Sequence, residues 1–302
     1  MDVIRISMIQ PLTSFAFDAR EVNLARAHAY VGAAAADGAD LVVFPETFPG
    51  AWKAPVTWTP VEELKSMAAE FDVYLVGGYA EPIDAEGQRC WNSFSLLGPD
   101  GAEVGRYRRT TPEHDPWIYK GGRYWDFDWV KADDLPAFDT DLGRIGILMC
   151  SEVYATELSR GMALQGADLT LLPAGLPGPH STLYDTWRTL VWARAIENIM
   201  FTAVCSNIPQ VGDDDEGRGQ GGLTMVCSPE EVLLEASDSG VHTVDLDLVR
   251  VRELRAEHDR RKAPDEQHLP WRTKPGNLRD WRRDEVLRAN PVLLPERAVT
   301  PA

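Results

Sequence analysis

Two residues stand where their types and neighbours could do chemistry. Cys150 closes the apolar run Ile145, Gly146, Ile147, Leu148, Met149, and Ser151 and Glu152 open a helical pattern behind it, so its thiol sits at a strand-to-helix turn. Open α/β sheets gather ligands beyond the carboxyl ends of their strands. A helix N-terminus there lowers a thiol pKa and offers N–H groups to an oxyanion. Glu46 follows Phe44 and Pro45 at the end of another short apolar run, and it projects toward the same face if the two strands run parallel. A partly buried carboxylate in that place can act as a general base. Each residue alone has an ordinary alternative: a small buried hydrophobe for Cys150, a solvated loop charge for Glu46. Cys90, Cys205 and Cys227 lie in or beside strand patterns and are expected in the core, and no histidine is placed by any pattern to pair with Cys150.

The elements that must position these groups alternate. Apolar periodicity predicts a strand over residues 3–10, a helix carrying Leu24, Ala27, Val31, Ala34 and Ala35 and ended by Gly38, and a short buried strand over 40–44. A helix over 60–71 and strands over 73–79 and 93–97 follow. From Tyr107 to Asp134 the pattern gives way to a long aromatic and charged loop, a form often tied to function. Regular structure returns as strand 145–150, helix 153–165, strand 168–173, helix 181–198 and strand 200–206. Strands 222–227 and 231–235 pair across a Ser-Pro-Glu turn, and strand 241–246 leads into a last helix with Leu248, Val251 and Leu254. Such alternation predicts an α/β fold with a buried sheet. Residues 258–302 are rich in Arg, Pro and Trp with little apolar period, and are expected as an extended tail on a 1–257 domain, crossing to a partner subunit or lying over its own.

Composition narrows the function. The chain has 302 residues with 44% hydrophobic and 25% charged, a globular balance. Its formal charge of −17 would be repelled by phosphate backbones and anionic membranes, so neither nucleic acid nor membrane is expected as a partner. Six lysines (Lys53, Lys65, Lys120, Lys131, Lys262, Lys274) leave 24 arginines among the 30 basic residues. Four cysteines without a C-x-x-C pair argue against a zinc knuckle or a disulfide scaffold, and point to a reducing, cytoplasmic setting. The first ten residues carry no secretory h-region, and no apolar run reaches 18 residues. The acidic loop GDDDEGRGQGG lacks the terminal Glu of an EF-hand and is expected as a solvated turn; no metal and no cofactor is called for.

Several ordered blocks carry a resemblance over residues 3–255: ADLVVFPET (39–47), GRYRRTTPE (105–113), GRIGILMCSEVYATELSRGMALQGADLTLLPA (143–174), WARAIENIMFTAVCSN (192–207), GGLTMVCSPEEVLLEA (221–236) and VDLDLVRVRELR (244–255). Together they resemble the nitrilase superfamily of carbon-nitrogen hydrolases. The resemblance implies a four-layer α-β-β-α sandwich, a homodimer or higher homo-oligomer joined through helices after the cysteine, and a Glu-Lys-Cys site with a second Glu. By it Cys150 is the nucleophile that forms an acyl-thioester, and Glu46 the base that takes the thiol proton, protonates the leaving amine and activates water.

The third position departs from the family. Its lysine stands in a Tyr-Arg-Lys stretch, whereas Tyr107-Arg108 is followed here by Arg109. Arginine keeps the charge but is bulkier and does not give up its proton. Three possibilities stay open: Arg109 stabilises the oxyanion, Lys53 or Lys120 enters from a loop, or amidase chemistry is impaired. Glu113, four residues before Trp117, is the candidate second glutamate, with Asp115 the alternative. Ser151-Glu152 replaces the aromatic-Asp pair of many members; the Ser151 N–H is expected as an oxyanion donor and Glu152 as a helix-start or pocket carboxylate. Phe48, Trp52, Trp117, Tyr119 and residues 173–179 are expected to roof a substrate pocket, and Arg194, Glu197 and Asn198 to form structural bridges. The expected activity is hydrolysis of a small-molecule amide; the alternatives are nitrile hydrolysis, acyl transfer to another nucleophile, or a silent family member.

Overall fold

The computed structural model describes residues 1–111, 128–179, 181–210 and 221–260. In sheet one, β1 (Val3–Gln10), β3 (Leu41–Val43) and β4 (Tyr74–Pro82) run parallel, joined through α1 (Arg20–Ala36) and α2 (Val61–Phe71). The chain then folds back antiparallel through β5 (Arg89–Leu97) and β6 (Glu103–Arg108), with β7 (Asp128–Trp129) beside β5. Sheet two repeats the plan: β9 (Gly143–Ile147), β10 (Leu169–Leu171) and β11 (Phe201–Val204) are parallel, crossed over by α3 (Thr156–Leu164) and α4 (Tyr184–Asn198). β8 (Ala137–Thr140) and the hairpin β13 (Thr224–Cys227)–β14 (Val232–Ala236) flank it. A short ladder joins β2 (Leu12–Thr13) to β12 (Ile208–Pro209). β15 (Gly240–Asp247) returns to pair with β1 and feeds α5 (Leu248–Arg260).

Strand alternation sets the layers. Leu41 and Val43 face the other sheet, in one buried cluster with Ile4, Ile6, Ile145, Ile147 and Leu171, while Val42 faces Val31, Leu64 and Met67 of the covering helices. α4 closes the far side with Trp187, Val191 and Ala195. The result is the expected α-β-β-α sandwich. α5 is held by Asp168, which accepts from Arg252 (2.9 Å) and Arg255 (3.0 Å). Among the described residues no helix is long and apolar enough to cross a membrane. The acidic loop, apart from its last two glycines, and the tail beyond Arg260 lie outside the described residues.

The main strands and helices form where expected, the short strands β2, β7, β8 and β12 are additions, β5 begins four residues early, and three further differences bear on the site. β6 forms where the sequence offers no apolar alternation, because Arg106 and Arg108 are neutralised on the sheet by Glu81 at 2.8 and 2.7 Å. The strand expected to reach residue 150 ends at Ile147, since Cys150 turns into a 3₁₀ helix, Cys150–Tyr154. α3 consequently starts at Thr156, after Ala155 adopts an extended backbone.

Candidate active site

Glu46 reaches the site from sheet one. Its N–H donates to Ala174 O (3.3 Å) and its C=O accepts Asn207 Nδ2 (2.9 Å), so both backbone groups of the residue are taken by the segments that leave β10 and β11 of sheet two. Thr47 then turns with φ 63°, a region a branched side chain rarely adopts. Gly78 makes room for this turn: a Cβ there would lie 2.7 Å from Thr47 N.

Cys150 reaches the site from sheet two. It too has a left-handed backbone, φ 53°, and its N–H donates to Pro173 O (3.0 Å). Two non-glycine residues with positive φ on either side of one site match the tendency of backbone strain to collect where function needs a fixed geometry.

Arg109 lies just past the end of β6. Its N–H donates to Asn92 O (2.9 Å), and its C=O accepts the Ala132 N–H (2.9 Å). From there the guanidinium is 2% exposed, with Nη1 3.1 Å from Glu46 Oε1 and Nη2 donating to Ser151 Oγ. Asn92 Nδ2 donates to the same Glu46 oxygen at 2.8 Å. Glu46 Oε2 is buried without a hydrogen-bond partner, which leaves it open to the thiol proton. Arg109, one of the cations raised by the sequence, thus pairs with Glu46.

Burial dominates the titration of this group. It pushes the Glu46 carboxyl above the usual carboxylate range, against the opposing pull of Arg109, the neighbouring thiol and Asn92. It also pushes the Cys150 thiol well above its ordinary value, with the Glu46 charge adding and Arg109 and the Gly175 N–H opposing. The sequence argument that a helix N-terminus would lower the thiol pKa therefore fails here, because desolvation outweighs the short turn's dipole. Burial therefore favours the thiol form of Cys150.

The other expected site residues fall into several environments. Glu152 is 1% exposed and its carboxylate accepts six hydrogen bonds from the described residues. Phe48 packs edge-on against Phe44 at 5.1 Å within the helix-side core, and Trp52 is buried against Phe15 at 4.2 Å. Arg194 donates to Glu197 (2.8 Å) and to Val153 O (2.9 Å), and Asn198 to Arg194 O (3.0 Å), as bridges within the fold. Glu113, Asp115, Trp117, Tyr119 and Lys120 lie outside the described residues. Sequence reasoning missed Asn92; the signal available was an Asn-Ser pair inside an otherwise apolar strand.

The carbon-nitrogen hydrolase family profile matches residues 5–256. The chain belongs to that family. It is 31% identical over 258 residues to the deaminated glutathione amidase of Synechocystis, covering 82% of this chain and 92% of the relative. Against an (R)-stereoselective amidase from Pseudomonas the identity is 30%, over 78% of this chain and 83% of the other. In fold it is similar to Saccharomyces cerevisiae Nit3, a nitrilase superfamily member, with TM-score 0.70, 20% identity and coverage of 89% and 97%. The NitFhit protein of C. elegans gives TM-score 0.72 at 21% identity, with 91% of this chain matched to 67% of that one. This carbon-nitrogen hydrolase is amidase-like, with arginine where the family's lysine is expected.

Proposed function

We propose that the protein hydrolyses a small-molecule amide through a Cys150 acyl-enzyme, with Glu46 as base and Arg109 as the oxyanion cation. The observation that carries this is the buried contact of Arg109 with Glu46 beside Cys150, all three at most 8% exposed.

Glu46 takes the thiol proton as sulfur attacks the carbonyl carbon. The carbonyl π electrons move to oxygen, and the resulting oxyanion is held by the Arg109 guanidinium and the Ser151 backbone N–H. Collapse of the tetrahedral species breaks the C–N bond, and protonated Glu46 gives its proton to the leaving amine. A water then enters, Glu46 takes its proton, and its oxygen attacks the thioester; collapse expels the thiolate, which recovers the proton. A fixed guanidinium suits this role because no step asks it to lose a proton.

Intact-protein mass spectrometry over a panel of small amides tests the proposal. The expected result is an acyl adduct on the wild type that Cys150→Ala lacks, together with release of the free acid. Amide turnover by Cys150→Ala would overturn it.

The outward side of α4 supports a self-association proposal. Trp192 and Ile196, four residues apart on this helix, are 37 and 49% exposed. Apolar groups grouped this way fit a homodimer face. The four free, buried thiols fit the cytoplasm as the compartment.

A further inference from the structure

We propose that Glu152 is a positioning residue: its buried carboxylate ties the turn that carries Cys150 to the strap that carries Arg109, and so fixes the guanidinium against Glu46. The inference rests on the assignment of Cys150, Glu46 and Arg109 given above, and it adds a residue that touches neither substrate nor thiol.

The two carboxylate oxygens divide the task. Oε2 accepts the Met149 N–H at 2.7 Å, which caps the 3₁₀ turn at the residue before the nucleophile, and the Tyr107 hydroxyl at 2.6 Å. Oε1 accepts from Thr110 at both N (3.0 Å) and Oγ1 (2.8 Å) and from Thr111 at both N (3.0 Å) and Oγ1 (3.2 Å). Residues 107, 110 and 111 bracket Arg109 on both sides. These six donors are neutral. Burial and the Glu152 charge keep the Tyr107 phenol protonated, so it remains a donor. A carboxylate that only capped its own turn would need the Met149 bond alone; the other five reach across 41 to 45 residues of chain to the strap.

Among the described residues, the charged and titratable groups facing Glu46 are Arg109 on the strap, and Cys150 and Glu152 on the turn, with neutral Asn92 from β5. Loosening the strap while keeping the Glu152 charge therefore weakens Arg109's pull, the largest of those opposing burial, and leaves only the thiol and Asn92 against it, so Glu46 gives up its proton only at higher pH. Two variants do this: Glu152→Asp, whose shorter arm cannot span both sides, and Thr110→Val, which deletes one donor.

The readout is the rate of Cys150 alkylation by iodoacetamide across pH, followed by intact mass on the full chain. Sulfur bonds to the methylene carbon, iodide leaves, and the thiol proton passes to Glu46. The wild type should show a rise whose midpoint lies above the usual carboxylate range and which Glu46→Gln loses. Glu152→Asp and Thr110→Val should each move that midpoint up by about half a pH unit or more and slow labelling at neutral pH at least about threefold. A lower labelled fraction with an unmoved midpoint in the folded variants is what a purely structural role would give, and it overturns the inference. Should Glu152→Asp fail to fold, Thr110→Val decides alone. Amide turnover is scored separately: moved midpoints without turnover sink the proposed hydrolysis and leave the positioning role standing.

Discussion

Arg109 donates from Nη2 to the hydroxyl of Ser151, the residue that follows the nucleophile. The fork thus spans from the base to the neighbour of Cys150, a reach that a single ammonium does not reproduce. Arg109→Lys should keep Cys150-dependent acylation but lower kcat/KM by about tenfold. Arg109→Met should lower it by about 10²–10³, the scale of losing an oxyanion donor. Single-turnover rates on a substrate found in the amide panel check both. A lysine variant faster than the wild type would show the arginine to be an impediment.

Removing the acceptor is a milder change. Ser151→Ala should cost about 1 kcal/mol of transition-state stabilisation, roughly fivefold in kcat/KM, because Arg109 keeps Glu46. Steady-state kinetics beside a Ser151→Thr control, which retains the hydroxyl, separates the hydrogen bond from the volume.

Glu46 makes stability depend on pH in a direction opposite to an ordinary ion-paired acid. Burial raises its folded pKa, so the folded state holds a proton that the unfolded state releases. Its contribution is complete below the unfolded value, about 4.5, and is lost as pH rises through the folded value. Thermal midpoints of the wild type should therefore fall relative to Glu46→Gln across that window. Activity should rise over the same window, since only the ionised base can take the thiol proton.

Glu81 has the reverse sign. Hydrogen bonds from Arg108 and Ser93 and the Arg106 charge outweigh burial and hold its carboxyl below the usual range, so its stabilisation is present above the unfolded value and lost as pH falls through the folded one. Glu81→Gln should cost about 1 kcal/mol at neutral pH, with the difference closing in acid. Paired thermal scans at several pH values measure it.

Gly78→Ala should injure catalysis beyond its effect on the fold. The new methyl meets Thr47 N at 2.7 Å and the Phe94 ring at 2.8 Å, and backbone at Thr47 cannot yield without moving Glu46. An overpacking cost of about 1–3 kcal/mol is expected, with kcat/KM reduced by about 10²-fold in the fraction that remains folded. Active-site titration with iodoacetamide normalises for folded protein.

Much of the architecture was legible because its signals are local. Alternating apolar residues marked β1, short apolar runs marked β3 and β9, three- and four-residue spacing marked α1, and a Ser-Pro-Glu turn marked the β13–β14 hairpin. The addresses of Cys150 and Glu46 at strand ends were equally readable. β6 was not, because ion pairs with Glu81 replace the hydrophobic period there. Neither was the proposed role of Glu152: five of its six donors come from residues more than 40 positions away, and nothing at the Cys-Ser-Glu sequence tells an inward carboxylate from an outward one. The thiol's raised pKa escaped for the same reason, since burial is a property of the packed sheets.

The proposed base and cation hang from one sheet and the proposed nucleophile from the other, with Glu46's own peptide groups bonded to the segments that leave the second sheet. The reacting atoms are therefore assembled only when the two halves are docked in register, and an offset of about 1 Å between the layers is enough to silence the chemistry. Turnover is thus a vernier for the seam of the sandwich. It should fade under denaturant before either layer loses its own hydrogen-bond ladders, and return only when the layers close again.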